Sequence, residues 1–99
     1  MINTNNPKSI KTFTIDGNNC INIEAFYDEL KNSAGLTCPG RNLDALNDVL
    51  RGGFGLEPPF HFIFKNSRKM EKNISKWHII LEIFNSDEHI ERGVTYSLE

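Results

Sequence analysis

The chain has 99 residues, of which 38% are hydrophobic and 10% aromatic, which suits one small globular domain and leaves no room for two. Its formal charge of −2 argues against direct nucleic-acid binding, because phosphate contacts need a basic face. No apolar run approaches the roughly 20 residues of a membrane span. The N-terminal MINTNNPKSIK lacks the apolar core of an export signal, so we expect a cytoplasmic protein.

The cysteine content predicts neither a disulfide nor a metal site. Cys20 and Cys38 are the two cysteines, and in a chain without an export signal they are expected to be free thiols. The sequence has no CxxC pair and no dense group of histidines and cysteines, which tetrahedral zinc sites require. We therefore expect no metal and no cofactor.

The first third of the chain predicts a tail, a strand and a helix. Residues 1–9 are polar and predict a loose tail, leaving 10–99 as a single domain. Alternating apolar and polar residues from Lys11 to Asp16 predict a strand, and the turn-forming DGNN follows it. Asn22 is placed to cap a first amphipathic helix over about 23–33, where apolar residues recur at helical spacing.

A loop containing LTCPG leads to a second predicted helix over about 43–51, with Asn42 as its N-cap. The apolar stripe of this helix consists of Leu43, Leu46 and Leu50. Its opposite side carries Asp44, Asn47, Asp48 and Arg51, which lie within about a quarter turn at 100° per residue. The glycine-rich GGFG then ends the helix.

The second half predicts two more strands around a helical region. FHFIFK at 60–65 is apolar at four of six positions, which is typical of a central strand covered on both faces. Helical periodicity then runs from Met70 to Phe84, as one helix or as two broken near Asn73. The polar stretch 85–93 contains the helix end, and a last strand follows. Because helices separate every pair of strands, we predict an α/β fold with a parallel sheet.

Two carboxylates four residues apart on one helical face, Asp44 and Asp48, repel each other by a few tenths of a kcal/mol. One interpretation is a solvated face, neutralised within the protein by Arg41 and Arg51. The other is a binding face for a cationic pocket, because carboxylates on a rigid helix resemble phosphates to an arginine fork. The arginines themselves either neutralise the aspartates or select a partner with acidic spots, and the sequence leaves both open.

The segment GRNLDALNDVL resembles the second helix of the barstar family, a family of intracellular ribonuclease inhibitors. The run Gly-x-Asn-Leu-Asp-Ala-Leu-x-Asp is matched by Gly40, Asn42, Leu43, Asp44, Ala45, Leu46 and Asp48. The resemblance extends more weakly over most of the chain. It implies a barstar-like α/β fold, with a three-stranded parallel sheet flanked by three or four helices.

The resemblance also implies a function, which is inhibition by occlusion of a nuclease's basic active site with the acidic face of the second helix. In this interpretation Asp48 is the main anchor and mimics a substrate phosphate, while Asp44 supports it. The backbone of Gly40, Asn42 and Leu43 contributes further contacts. The partner is a cognate nuclease toxin in a one-to-one complex, and the free protein is expected to be a monomer.

Several positions depart from the family pattern and indicate a partner other than barnase, because specificity is a difference between affinities. Cys38 and Pro39 replace aromatic residues, Asn47 replaces a tryptophan, Arg41 replaces an acid, and Arg51 adds a positive charge.

The contacts expected with the partner include the loops on either side of the second helix. The full set is Cys38, Pro39, Gly40, Arg41, Asn42, Leu43, Asp44, Asn47, Asp48, Arg51, Gly53 and Phe54. The acidic residue that a later helix adds to the family's interface has no match, and Ser86 falls nearest, beside Asp87.

Two other classes of function stand beside inhibition. A barstar-fold adaptor for a non-nuclease protein has the same sequence features. An enzyme is not expected, because no local signature supports Cys38 as a nucleophile with a histidine base. Asp44 and Asp48 lie together on one exposed helix, with nothing to separate their pKa values as an acid–base pair requires.

Overall fold

A computed structural model describes residues 10–36, 42–52 and 57–99 of the chain. The elements in chain order are β1 (Lys11–Asp16), a 3-10 turn (Gly17–Asn19), α1 (Ile23–Ala34), α2 (Leu43–Arg51), β2 (Phe60–Lys65), α3 (Ser67–Asn73), α4 (Trp77–Phe84), α5 (Asp87–Glu91) and β3 (Val94–Leu98). The predicted tail, residues 1–9, lies outside the described residues.

The three strands form one parallel sheet in the order β1-β2-β3, which confirms the predicted α/β class and the parallel pairing. The register places Phe13 beside Phe62 and Phe62 beside Tyr96. Since parallel neighbours need long crossovers, each strand is followed by helix before the next strand begins.

The central strand is covered mainly on one face, so the prediction of cover on both faces is wrong. Phe60, Phe62 and Phe64 are fully buried, whereas His61 and Ile63 between them are only half-buried. The high apolar content of this strand comes from three phenylalanines on one side, which side chains of period two bring to the same face.

The buried face of the sheet carries an aromatic core. Phe64 meets Trp77 with ring centroids 5.2 Å apart and Phe84 at 5.3 Å, both edge to face. Such pairs add about 0.5–1.5 kcal/mol beyond the area that they bury. Trp77 is 5% exposed and belongs to this core.

The helical region after β2 consists of two helices broken near Asn73, which confirms one of the two predicted alternatives. α3 ends at Asn73, Ile74 has extended backbone (φ −114°, ψ 104°), and α4 begins at Trp77. No helix within 10–36, 42–52 or 57–99 is long and apolar enough to cross a membrane.

The polar stretch after α4 differs from the prediction. The prediction placed the end of the preceding helix there and no further element, whereas the structure also forms the separate one-turn helix α5. This helix has five residues and a single buried side chain, His89. It is therefore too short to show the apolar periodicity by which a helix is predicted from sequence.

Candidate functional site

Helix α2 is a short platform fixed at both ends and along one side. The Asn42 side-chain oxygen accepts a hydrogen bond from the Ala45 amide at 2.7 Å, so the predicted N-cap is confirmed. Gly52 ends the helix with φ +96°, and its N–H donates to the carbonyl of Val49 at 3.0 Å. Val49 and Leu46 are fully buried. The opposite side chains therefore project from a backbone that the core holds in place.

The polar residues predicted on the outer side of α2 do share that side. Asp44 and Asp48 are exposed, with 56% of the Asp48 side chain accessible. Leu43 and Asn47 are half-buried at the edges of the face. The helical period predicted from the sequence thus fixes the arrangement of these groups.

Asn47 is bound within the protein rather than free at the surface. Its side-chain oxygen lies 2.6 Å from Nε2 of His89, which is fully buried. Because an amide oxygen only accepts, Nε2 carries the hydrogen in this bond. His89 Nδ1 is buried and has no hydrogen-bond partner among the described residues. Burial lowers the pKa of His89, so the neutral ring is favoured.

Arg51 joins α2 to α5 through two carboxylates. Its Nη1 lies 2.7 Å from Oδ1 of Asp48, one turn earlier in the same helix, and its Nε lies 2.7 Å from Oε2 of Glu88. Hydrogen bonding to Glu88 raises the pKa of Arg51, and the same bond lowers the pKa of Glu88. Arg92 donates from Nη1 to the Arg51 carbonyl oxygen at 2.9 Å.

The N-terminal half of the acidic face borders a groove against α4. This groove of about 380 Å³ is lined by Leu43, Asp44, Asn47, Ile79, Glu82, Ile83 and Ser86. Within the described part of the chain, neither Asp44 nor Glu82 has an ion pair. A groove lined by apolar side chains and by two carboxylates can receive the stem and charge of a lysine or arginine side chain.

We call Asp44, Asp48, Glu82 and Glu88 together the acidic surface. Sequence reasoning found the first two and missed the others. Ser86, the residue nearest to the family's later acidic position, lines the groove, and its Oγ is buried. The helical spacing of Glu82 with Ile79 and Ile83 places the three residues on one face of α4. No local feature of the sequence predicts that this face lies beside α2.

Half of the expected contact set lies outside the part of the chain that the structure describes. Its members outside the described residues are Cys38, Pro39, Gly40, Arg41, Gly53 and Phe54.

Neither a metal centre nor a reactive thiol is found in the part of the chain that the structure describes. No group of three or more potential ligands is placed to hold a metal ion there. Cys20 is a buried free thiol, as predicted, and burial raises its pKa to about 12. A thiol with so high a pKa is a poor nucleophile at neutral pH, because the thiolate is the reactive form.

The fold and this surface define a small α/β domain that presents an acidic helix on a three-stranded parallel sheet. The family model described as "Barstar (barnase inhibitor)" matches residues 10–98. The chain belongs to the barstar family. A comparison with individual curated proteins gave no match.

Proposed function

We propose that this protein is an inhibitor, an immunity protein, of a nuclease toxin of the ribonuclease class. The observation that carries the proposal is the match of nearly the whole chain to a family described as barnase inhibitors. The acidic surface supports it, because a nuclease cleft that binds phosphates attracts carboxylates.

The proposed mechanism is occlusion of the nuclease active site by α2. A helix of nine residues is about 13 Å long, which suits insertion into a substrate groove. Asp48 and Asp44 take the places of substrate phosphates and receive the cations of the cleft. Because the core side of α2 is buried, the backbone of this helix loses little conformational entropy when it enters a complex.

The charge of this surface exceeds what α2 alone provides. Residues 40–51 contain two aspartates and two arginines and are therefore locally neutral. Glu82 from α4 and Glu88 from α5 add two carboxylates beside them. Electrostatic steering by such a surface accelerates association with a basic partner and weakens as salt rises.

Further parts of the proposal concern the complex and its setting. The inhibitor binds one nuclease molecule, is a monomer when free, and acts in the cytoplasm of the cell that it protects. Residues 38–41 and 53–54, which precede and follow α2 in the chain, add contacts. The partner differs from barnase, since Asn47 and Arg51 stand where the family pattern has other residues.

The experiment that tests the proposal is calorimetric titration into a panel of small bacterial ribonuclease domains, barnase included, with RNA cleavage measured in parallel. We expect one-to-one binding that abolishes cleavage by at least one member. Asp48→Ala should weaken that binding by at least about 2 kcal/mol, the loss typical of an interface hot spot.

The alternative, an adaptor for a non-nuclease protein, gives a different outcome in the same experiment. Binding that leaves cleavage intact, or that Asp48→Ala does not weaken, contradicts occlusion by α2. Association rates measured at low and high salt add a second criterion, because insertion into a basic cleft slows steeply with salt.

A further inference from the structure

Arg51 is a cation between two carboxylates of a surface that is proposed to bind cations. It is the last residue of α2, and its side chain is 42% exposed. Its guanidinium donates to Asp48 on α2 and to Glu88 on α5, each at 2.7 Å. The guanidinium of Arg51 is therefore already paired with the Asp48 carboxylate within the protein.

The position of Arg51 is supported at three points by α5 and by Arg92, the residue that follows α5. Glu88 holds its side chain, Arg92 holds its backbone carbonyl at 2.9 Å, and His89 binds Asn47 one turn earlier at 2.6 Å. The carbonyl at the end of a helix is a preferred acceptor for a guanidinium, because the helix dipole is negative there. The packing of the surrounding residues therefore holds Arg51 near Asp48, in addition to the attraction between the two side chains.

A partner cation that approaches Asp48 must share or replace this arginine. Exposed ion pairs are weak in water, so displacement is possible. Like charges brought together at an interface oppose binding strongly, however, and such juxtaposition is a common means of rejecting wrong partners. Glu88 moderates the conflict, since Arg51 retains one carboxylate when Asp48 is taken.

We propose that Arg51 is a specificity-determining residue that competes with the partner's cation for Asp48 and rejects basic clefts unable to replace it. The inference rests on the proposed function and deepens it. It explains how a surface of four carboxylates avoids binding every basic groove. In this role Glu88 is the positioning residue, because it acts on Asp48 only through Arg51.

The test measures the affinity of barnase for the wild-type protein, Arg51→Ala and Arg68→Ala. Arg68 is exposed on α3, outside the acidic surface, so its removal changes the net charge equally without touching Asp48. We expect Arg51→Ala to bind barnase about tenfold more tightly than wild type or better, with little change for Arg68→Ala. Thermal unfolding of each variant confirms that it is folded.

Glu88→Gln supplies a second measurement by a double-mutant cycle. In the wild-type background this change removes the second ion-pair partner of Arg51, so Arg51 pairs with Asp48 alone. Because Arg51 is then harder to displace from Asp48, binding to barnase should weaken several-fold. In the Arg51→Ala background the same change only removes one carboxylate of the acidic surface, so binding should weaken less. Independence of the two substitutions overturns the inference.

The remaining outcomes separate this inference from the proposed function. If wild type binds and Asp48→Ala does not, while Arg51→Ala equals Arg68→Ala, the inhibitor proposal stands and the role of Arg51 is overturned. Weaker binding by Arg51→Ala overturns that role too. Binding by Arg51→Ala where wild type fails supports it most directly. Absence of binding by both wild type and Arg51→Ala overturns the inference, because removal of the competitor should expose Asp48 to the cleft.

Discussion

Nε2 of His89 on α5 lies 2.6 Å from Oδ1 of Asn47 on α2, and this hydrogen bond joins two residues 42 positions apart. His89 is fully buried, whereas Asn47 is at the edge of the exposed face of α2. The bond therefore connects the core to the proposed binding face. The side-chain oxygen of Asn47 is therefore already bound within the protein.

His89 makes folding stability dependent on pH. Burial lowers its pKa from the ordinary value of 6.5, Arg51 and Arg92 act in the same direction, and Glu88 opposes them. The unfolded chain therefore binds a proton at a higher pH than the folded protein. Stability is fully present above about pH 6.5 and is lost as pH falls toward the folded-state pKa, by up to about 1.4 kcal/mol for each pH unit in between.

Urea unfolding between pH 7.5 and pH 5 measures this effect. His89→Gln should flatten the decline in the free energy of unfolding. His78→Gln, at an exposed position of α4, is the matched control and should keep the wild-type dependence. Equal slopes for His89→Gln and wild type would contradict the assignment.

The sequence was sufficient to predict α2 because the signals for that helix are local. An asparagine cap, an apolar stripe and a glycine stop all lie within the segment 42–52 and specify its ends and its exposed face. The motif that resembles the barstar family lies in the same segment. This motif, together with the order of strands and helices, was enough to predict the fold and the family.

The contacts of α5 could not be predicted, because they depend on how distant segments pack. Arg51 and Glu88 are 37 positions apart, and no periodicity relates them. The sequence indicated that Arg51 either neutralises the aspartates or selects an acidic partner. The structure places it on Asp48 and Glu88 within the protein, which only a three-dimensional arrangement can establish.

The cap of α2 should contribute measurably to stability. Asn42→Ala removes the acceptor for the Ala45 amide and should lower the free energy of unfolding by about 1 kcal/mol. Asn42→Asp keeps a side-chain oxygen at the cap and should cost much less. Chemical denaturation measures the free energy of unfolding of both variants. An equal loss of stability in the two would show that the capping hydrogen bond is not the cause of the loss.

Gly17 should tolerate no side chain, for steric reasons. A Cβ atom at this position would overlap the carbonyl oxygen of Asn66 and lie 3.1 Å from the carbonyl oxygen of Lys65. Both obstacles are backbone atoms at the end of β2, so Gly17→Ala should destabilise the protein by about 1–3 kcal/mol. Asn18→Ala, at an exposed position in the same turn, should stay within about 0.5 kcal/mol of wild type in thermal or urea unfolding. Comparable stability of the two variants would contradict the close packing of this turn.

Glu82 should contribute to nuclease binding although it lies outside α2. It shares the groove with Asp44, and the apolar side chains of Ile79 and Ile83 also line that groove. A lysine or arginine entering this groove would pack its stem on the isoleucines and place its charge between the two carboxylates. Glu82→Ala should therefore weaken binding to an inhibited nuclease by more than about 1 kcal/mol and slow association at low salt.

Glu71→Ala is the matched control for that substitution, because Glu71 is exposed on α3 and outside the acidic surface. It removes the same charge and should change affinity little at physiological salt, where the Debye length is about 8 Å. If the two variants weaken binding equally, only the overall charge matters and the groove receives no side chain. If Glu82→Ala alone weakens it, the interface reaches beyond α2 to α4, and the carboxylate that this chain lacks at Ser86 is supplied one turn earlier.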